Sequence, residues 1–212
     1  MLFPRYIPSA AKAAKIIGNA IKVAEEALTD GRIEQEPAMT DRMLGGIEQA
    51  LQNVRIGGIT WRAKTLTDRG RHAQEARIGA DFLGVLDVEV PGYFVQKGFL
   101  AQAKMVGHRG IGNKPNLIRQ CKAMLNLSPA SFVFLYTKRG VKVAPAIALV
   151  AASGELSAVH LEDPERFFRN HLLCMFGDRA ISSPTPAGLD EFVRFANARS
   201  NLSIKATAPF IY

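Results

Sequence analysis

The stretch from Gln74 to Val106 constrains this chain more than any other, because it reads as two paired strands carrying an acid, an amide and a lysine to one place. Residues 82–90 are β-branched and apolar and stop at Pro91-Gly92, a turn signal, with Asp81 at the strand entrance. From Gly98 to Val106 the pattern alternates, so that Phe99, Ala101, Ala103 and Met105 face one way and Leu100, Gln102 and Lys104 the other. A lysine two places after a glutamine in an apolar strand is costly to bury unless an anion meets it. Asp81 on the neighbouring strand is the natural partner.

Gly79-Ala80-Asp81 and Gln102-Ala103-Lys104, with about twenty residues between them, fit the two arms of a hairpin. In this they resemble the PD-(D/E)XK nuclease superfamily, whose signature is an Asp at a strand start, then an acid or Gln, any residue, and Lys on the next strand. The resemblance implies an α/β, restriction-endonuclease-like core, a mixed central β-sheet flanked by helices, here with an added N-terminal helix and C-terminal helices. It also implies a divalent cation, Mg²⁺ or Mn²⁺, held by the Asp and a helical Glu with help from the second-strand acid or Gln, and a Lys that assists the attacking water. Carried over, these roles fall on Asp81, Gln102 and Lys104. One departure matters. Gln102 offers a neutral oxygen where a carboxylate is usual, so a hard cation needs its negative charge from elsewhere, with Glu75, Glu36 and Glu34 as sources.

A length of 212 residues suits one domain with one good-sized core, divided here into a packing helix over 1–30, a catalytic core over 34–152 and C-terminal helical elements over 160–212. A hydrophobic fraction of 48% with 22% charged residues argues against extensive disorder. The 27 Lys and Arg against 19 Asp and Glu leave a net +8, which favours a polyanionic partner; with the motif added, that partner is nucleic acid, DNA ahead of RNA. Cys121 and Cys174 are the only cysteines and lie in helix-like segments, so they read as reduced core thiols and not as a disulfide framework or zinc cluster. No run approaches the roughly 20 apolar residues of a membrane span, and Met1–Leu28 lacks the apolar core of a signal peptide. A cytoplasmic protein without a membrane partner is expected.

Along the chain, Ser9 is placed to cap a helix reaching about Leu28, with Ile16, Ile17, Ala20, Ile21, Ala24 and Leu28 at helical spacing and Thr29-Asp30-Gly31 as its stop. A second helix opens near Glu36-Pro37 and runs through Met43, Leu44, Ile47 and Leu51. By the resemblance, a metal-binding Glu is usual on the helix that precedes the Asp strand. Glu36, Glu34 and Glu48 compete; Glu36 is preferred because it sits at the helix end, whereas Glu48 reads as a solvated surface acid.

Between Asn53 and Gln74, Arg55, Arg62, Lys64, Arg69 and Arg71 surround Trp61. This suits phosphate contact with base stacking, or equally a solvated loop anchored by a buried Trp. Glu75, six residues before Asp81, is a second candidate ligand or a partner for Arg77.

The glycine-rich basic segment 106–115 leads into a helix over about 115–127 and reads as a phosphate-holding loop, with Arg109, Lys114 and Arg119 as nucleic-acid contacts. It lacks the Gly-Lys-Ser/Thr ending of a nucleotide-hydrolysing loop. His108 is an acid–base candidate or a surface residue. The resemblance suggests a Gln near the site on this helix, and Gln120 is where the chain matches; the alternative is plain helix surface. Residues 131–136 read as a buried strand reached by a βαβ crossover, with Tyr136 touching the cleft or closing the core. Asp163-Pro164 starts a helix that Gly177 stops, 184–186 is a linker, and 188–198 a last helix; these are scaffold, or contacts to a second copy or a defence-complex partner.

Taken together, the expected activity is that of a divalent-metal-dependent nuclease, by resemblance an endonuclease of bacterial restriction or phage defence. The alternatives are a catalytically silent nucleic-acid-binding module on the same fold, and an assembly subunit whose basic charge serves solubility.

Overall fold

The computed structural model describes residues 3–67, 79–108, 110–182, 198 and 200–209. A long helix α1 (Phe3–Thr29) and a second, α2 (Glu36–Ala50), precede strands β1 (Val54–Ile56), β2 (Ile59–Thr67), β3 (Phe82–Val90) and β4 (Tyr93–Met105). Then come α3 (Lys114–Leu125), β5 (Ser131–Thr137), β6 (Gly140–Pro145), α4 (Ala146–Ala151), α5 (Pro164–Leu172) and β7 (Ser200–Thr207). The seven strands form one mixed sheet in the order β1-β2-β7-β3-β4-β5-β6. β3 and β4 form the expected antiparallel hairpin, and β4 and β5 are parallel across the α3 crossover. The class expected from the sequence, α/β with a mixed sheet flanked by helices, is what the chain adopts.

Each sheet face has its own core. On one side Phe82, Phe99 and Phe134 pack with Ile17 and Ile21 of α1, Met43 and Ile47 of α2, and Phe167 and Phe168 of α5. Ring contacts run through this layer, with Phe99 edge-on to Phe82, Phe132 and Phe167 at centroid distances of 5.1–6.2 Å. On the other side Leu83, Leu100, Val133 and Leu135 meet Leu117, Cys121 and Met124 of α3 and Leu149 of α4. The alternation of β4 is visible here. Phe99, Ala101 and Ala103 belong to the first core, and Leu100 to the second.

Three expectations need amendment. Helix α1 begins at Phe3, so Ser9 lies inside it and is no cap. Its buried hydroxyl instead donates to the Ile56 carbonyl and accepts Trp61 Nε1–H, a bridge between helix and sheet. Helical structure in 160–212 holds for α5, but the chain's last described stretch is strand β7, inserted between β2 and β3. Lys205, which looks too polar for mid-sheet, is matched there by Asp87 and Glu89 of β3 at 3.0 and 2.8 Å. Trp61 is fully buried, which leaves the anchor and not the stacking platform. The helix expected over 188–198 falls almost wholly outside the described residues. Among the described residues, no helix is long and apolar enough to cross a membrane.

Candidate functional site

The site arises from a mismatch in strand length. β3 begins at Phe82, opposite Ala101, while β4 continues to Met105. On its other edge β4 stays paired with β5 as far as Met105 and Tyr136. The amides of Ala103 and Met105, on the edge facing β3, therefore run past the end of their neighbour. Buried backbone donors need partners, and two carboxylates supply them. Asp81 Oδ2 accepts Ala103 N–H at 2.8 Å, and Glu36 Oε2 accepts Met105 N–H at 2.8 Å.

Gln102 is buried, donating Nε2 to Asp81 Oδ2 and to the Ala103 carbonyl. Its carbonyl oxygen Oε1 is buried with no hydrogen-bond partner. Lys104 reaches Glu36 Oε1 at 3.4 Å and is mostly buried, so its charge meets the acid of the helix where the sequence suggested Asp81. Glu36 sits in the first turn of α2, whose N-cap Gln35 offers no side-chain cap, and a carboxylate there is favoured by the helix dipole. One turn on, Thr40 donates to the Glu36 carbonyl at 2.9 Å and shares a 2.8 Å hydrogen bond with the buried Tyr136 hydroxyl. Burial pushes that phenol well above its ordinary pKa and keeps it neutral. Tyr136 thus closes the core and braces α2 over the strand ends.

These groups line one cavity of about 140 Å³, bounded by Glu36, Pro37, Thr40, Asp41, Asp81, Gln102, Lys104, Gln120 and Ser200. Three carboxylates face one ammonium. Gly79 at φ +77° lies so close to Gln120 of α3 that a Cβ would meet its Cα at 2.8 Å, which is how the entry to β3 is pressed against the helix that carries Gln120. Asp41, Thr40 and Ser200 join the site beyond the residues that the motif spacing marks. Thr40 follows Glu36 by four residues on a helix, a signal the sequence does contain, whereas nothing local marks Ser200.

The other described candidates do not line this cavity. Glu34 is exposed and Glu48 half-buried, and neither lines it. Glu75 and Arg109 lie outside the described residues, as do Arg69 and Arg71. Lys114 pairs with Glu155, and Arg119 is exposed with Nη2 on Asn116 Oδ1 at 2.6 Å. In the glycine-rich loop, Gly107 and Gly110 bond each other's backbones, His108 is exposed, and Asn113 caps α3 by accepting Asn116 N–H at 3.0 Å. Part of the donor set expected to hold phosphate is therefore used internally. Cys121 is fully buried, and burial pushes its thiol up to about 11.

Among the described residues no three His, Cys, Asp or Glu side chains converge as a metal cluster. The donor set that does converge is mixed: the Asp81 and Glu36 carboxylates and the unpartnered Gln102 oxygen. All are oxygens, which suits a hard cation such as Mg²⁺ or Mn²⁺. No protein-family model matches the chain, and neither a curated protein nor a solved structure matches it.

Proposed function

We propose that this chain is a divalent-metal-dependent nuclease of the PD-(D/E)XK type, a cytoplasmic phosphodiesterase acting on nucleic acid, DNA ahead of RNA, in the manner of restriction or phage-defence endonucleases. The observation that carries the proposal is the buried oxygen with no partner on Gln102, a residue that lines the cavity with Asp81, Glu36 and Lys104. An acceptor left unsatisfied in a polar cavity costs about 1–3 kcal/mol, and a cation is the ligand that removes that cost. Asp81, Glu36 and Gln102 would hold Mg²⁺ or Mn²⁺, which supplies charge stabilisation at the scissile phosphate. Lys104, held by Glu36, orients the attacking water and offsets developing negative charge. Gln120, which lines the cavity from α3, would contact the substrate backbone.

Purified protein incubated with Mg²⁺ or Mn²⁺ and a panel of DNA and RNA substrates is expected to cleave, to stop on chelation, and to lose turnover in Lys104→Ala while retaining the cation. One observation favours a second reading, the catalytically silent binding module: both carboxylates already brace β4 amides. Nucleic-acid retention without cleavage and without cation binding would leave that reading standing.

A further inference from the structure

Three buried side-chain oxygens among the described residues have no hydrogen-bond partner: Gln102 Oε1, Ser200 Oγ and Asn201 Oδ1. Two of them, Gln102 Oε1 and Ser200 Oγ, belong to residues lining the same 140 Å³ cavity. Ser200 is the first residue of β7 and is 2% exposed. Its backbone N–H is satisfied by the Asp81 carbonyl at 3.2 Å, which fixes the strand start beside the acid. The strand start is thus fixed beside Asp81, while the hydroxyl has no hydrogen-bond partner.

Ser, unlike Ala, is a poor choice for a sealed position without a partner, since the hydroxyl loses water on folding. The side chains around it decide what would satisfy it. Glu36, Asp41 and Asp81 against Lys104 make the cavity a seat for positive charge, and Gln102 Oε1 can only accept. Serine hydroxyls are established oxygen donors to hard divalent cations. We infer that Ser200 Oγ is a further ligand of the cation site, pairing with Gln102 Oε1 as the neutral half of a donor set whose charged half is Asp81 and Glu36. The inference rests on the cation-dependent reading above and assigns β7, the last described strand, a direct part in it. It also accounts for how a site with Gln in place of the usual acid reaches enough oxygens.

Ser200→Ala tests this by cation binding, without recourse to cleavage. The full chain and the variant are titrated with Mn²⁺, following thermal midpoint and calorimetric heat, and unfolded by urea in chelator. The expected result is a urea midpoint equal to or above wild type, because the hydroxyl it removes bonds nothing, with Mn²⁺ affinity reduced about tenfold. Ser200→Ala binding Mn²⁺ within twofold of wild type would overturn the inference and leave the nuclease reading intact. A urea midpoint clearly lowered in chelator would overturn it too, by showing a structural partner for the hydroxyl. Wild type that binds no Mn²⁺ would overturn both.

Discussion

Replacing Asp81 with alanine asks whether this carboxylate is built into the fold as well as into the site. In the native chain Asp81 Oδ2 accepts Ala103 N–H and the Gln102 amide, so truncation strips one backbone and one side-chain donor of an anionic acceptor. Hydrogen bonds to charged groups contribute about 1.5–3 kcal/mol each. The Gln102 amide, however, keeps the Ala103 carbonyl at 3.0 Å, and the adjoining cavity has room for water. The loss should therefore be about 2–3 kcal/mol, equivalent to a thermal midpoint roughly 4–12 °C lower for a chain of this size. Asp81→Asn retains a carbonyl for Ala103 and should cost about 1 kcal/mol. Urea melts followed by circular dichroism, in chelator, measure both. If the chain holds Mn²⁺ as proposed, the cation at 100 times its dissociation constant should add about 2.7 kcal/mol to the wild type and not to Asp81→Ala, so the gap between them should widen. An Asp81→Ala variant unfolding within about 0.5 kcal/mol of wild type in chelator would refute the account of how the end of β4 is satisfied.

Three further outcomes follow from the same packing. His171 is fully buried, and burial, then Lys97, holds its pKa well below the ordinary value. A base depressed in the native state stabilises the fold above pH ~6.5 and loses that stabilisation as pH falls, by about 1.4 kcal/mol per unit while only the unfolded chain takes the proton. The drop in urea midpoint from pH 7.5 to 5.5 should accordingly shrink in His171→Leu, and an equal drop in both proteins would count against it. Gly84→Ala would place a Cβ 2.2 Å from the Phe99 ring, which other rings hemmed in on several sides prevent from yielding, so it should cost about 3 kcal/mol; a wild-type urea midpoint would contradict this. Trp61, the chain's single tryptophan, should emit at short wavelength and resist quenching by iodide and by nucleic acid, whereas a red-shifted, quenchable emission would show it exposed.

What the sequence makes legible is local. The period of β4, the turn at Pro91-Gly92 and the βαβ spacing around α3 each follow from residues within a few places of one another, and each appears as expected. Glu36 could be singled out because a Pro at the second helical position marks the start of α2, and a first-turn acid is a recognisable pattern. The part that stays hidden is long-range. β7 carries Asn201, Ser203 and Lys205 in alternation with Leu202, Ile204 and Ala206, a pattern suited to a solvated edge. Only the carboxylates of Asp87 and Glu89, more than a hundred residues earlier, let Lys205 lie mid-sheet. Ser200 enters the cavity through that same pairing, so no window of sequence around it could announce a role. Lys114 shows the converse. Its neighbours suggest a phosphate contact, and Glu155 from the segment after α4 takes its charge.

The glutamine that departs from the usual motif has a physical account in this geometry. A carboxylate at position 102 could donate to neither Asp81 Oδ2 nor the Ala103 carbonyl, the two acceptors that Gln102 Nε2 now serves. It would also set a fourth acid among Asp81, Glu36 and Asp41 with only Lys104 to balance them. Mutual repulsion in a small cavity would then open the strand end whenever no cation was present. The amide resolves this asymmetrically: its nitrogen ties Asp81 to β4, and its oxygen is left over. On the cation-dependent reading proposed above, a chain with Gln here would assemble its site before any cation arrives, and the charge it forgoes would have to be replaced by more oxygens, of which the Ser200 hydroxyl would be one.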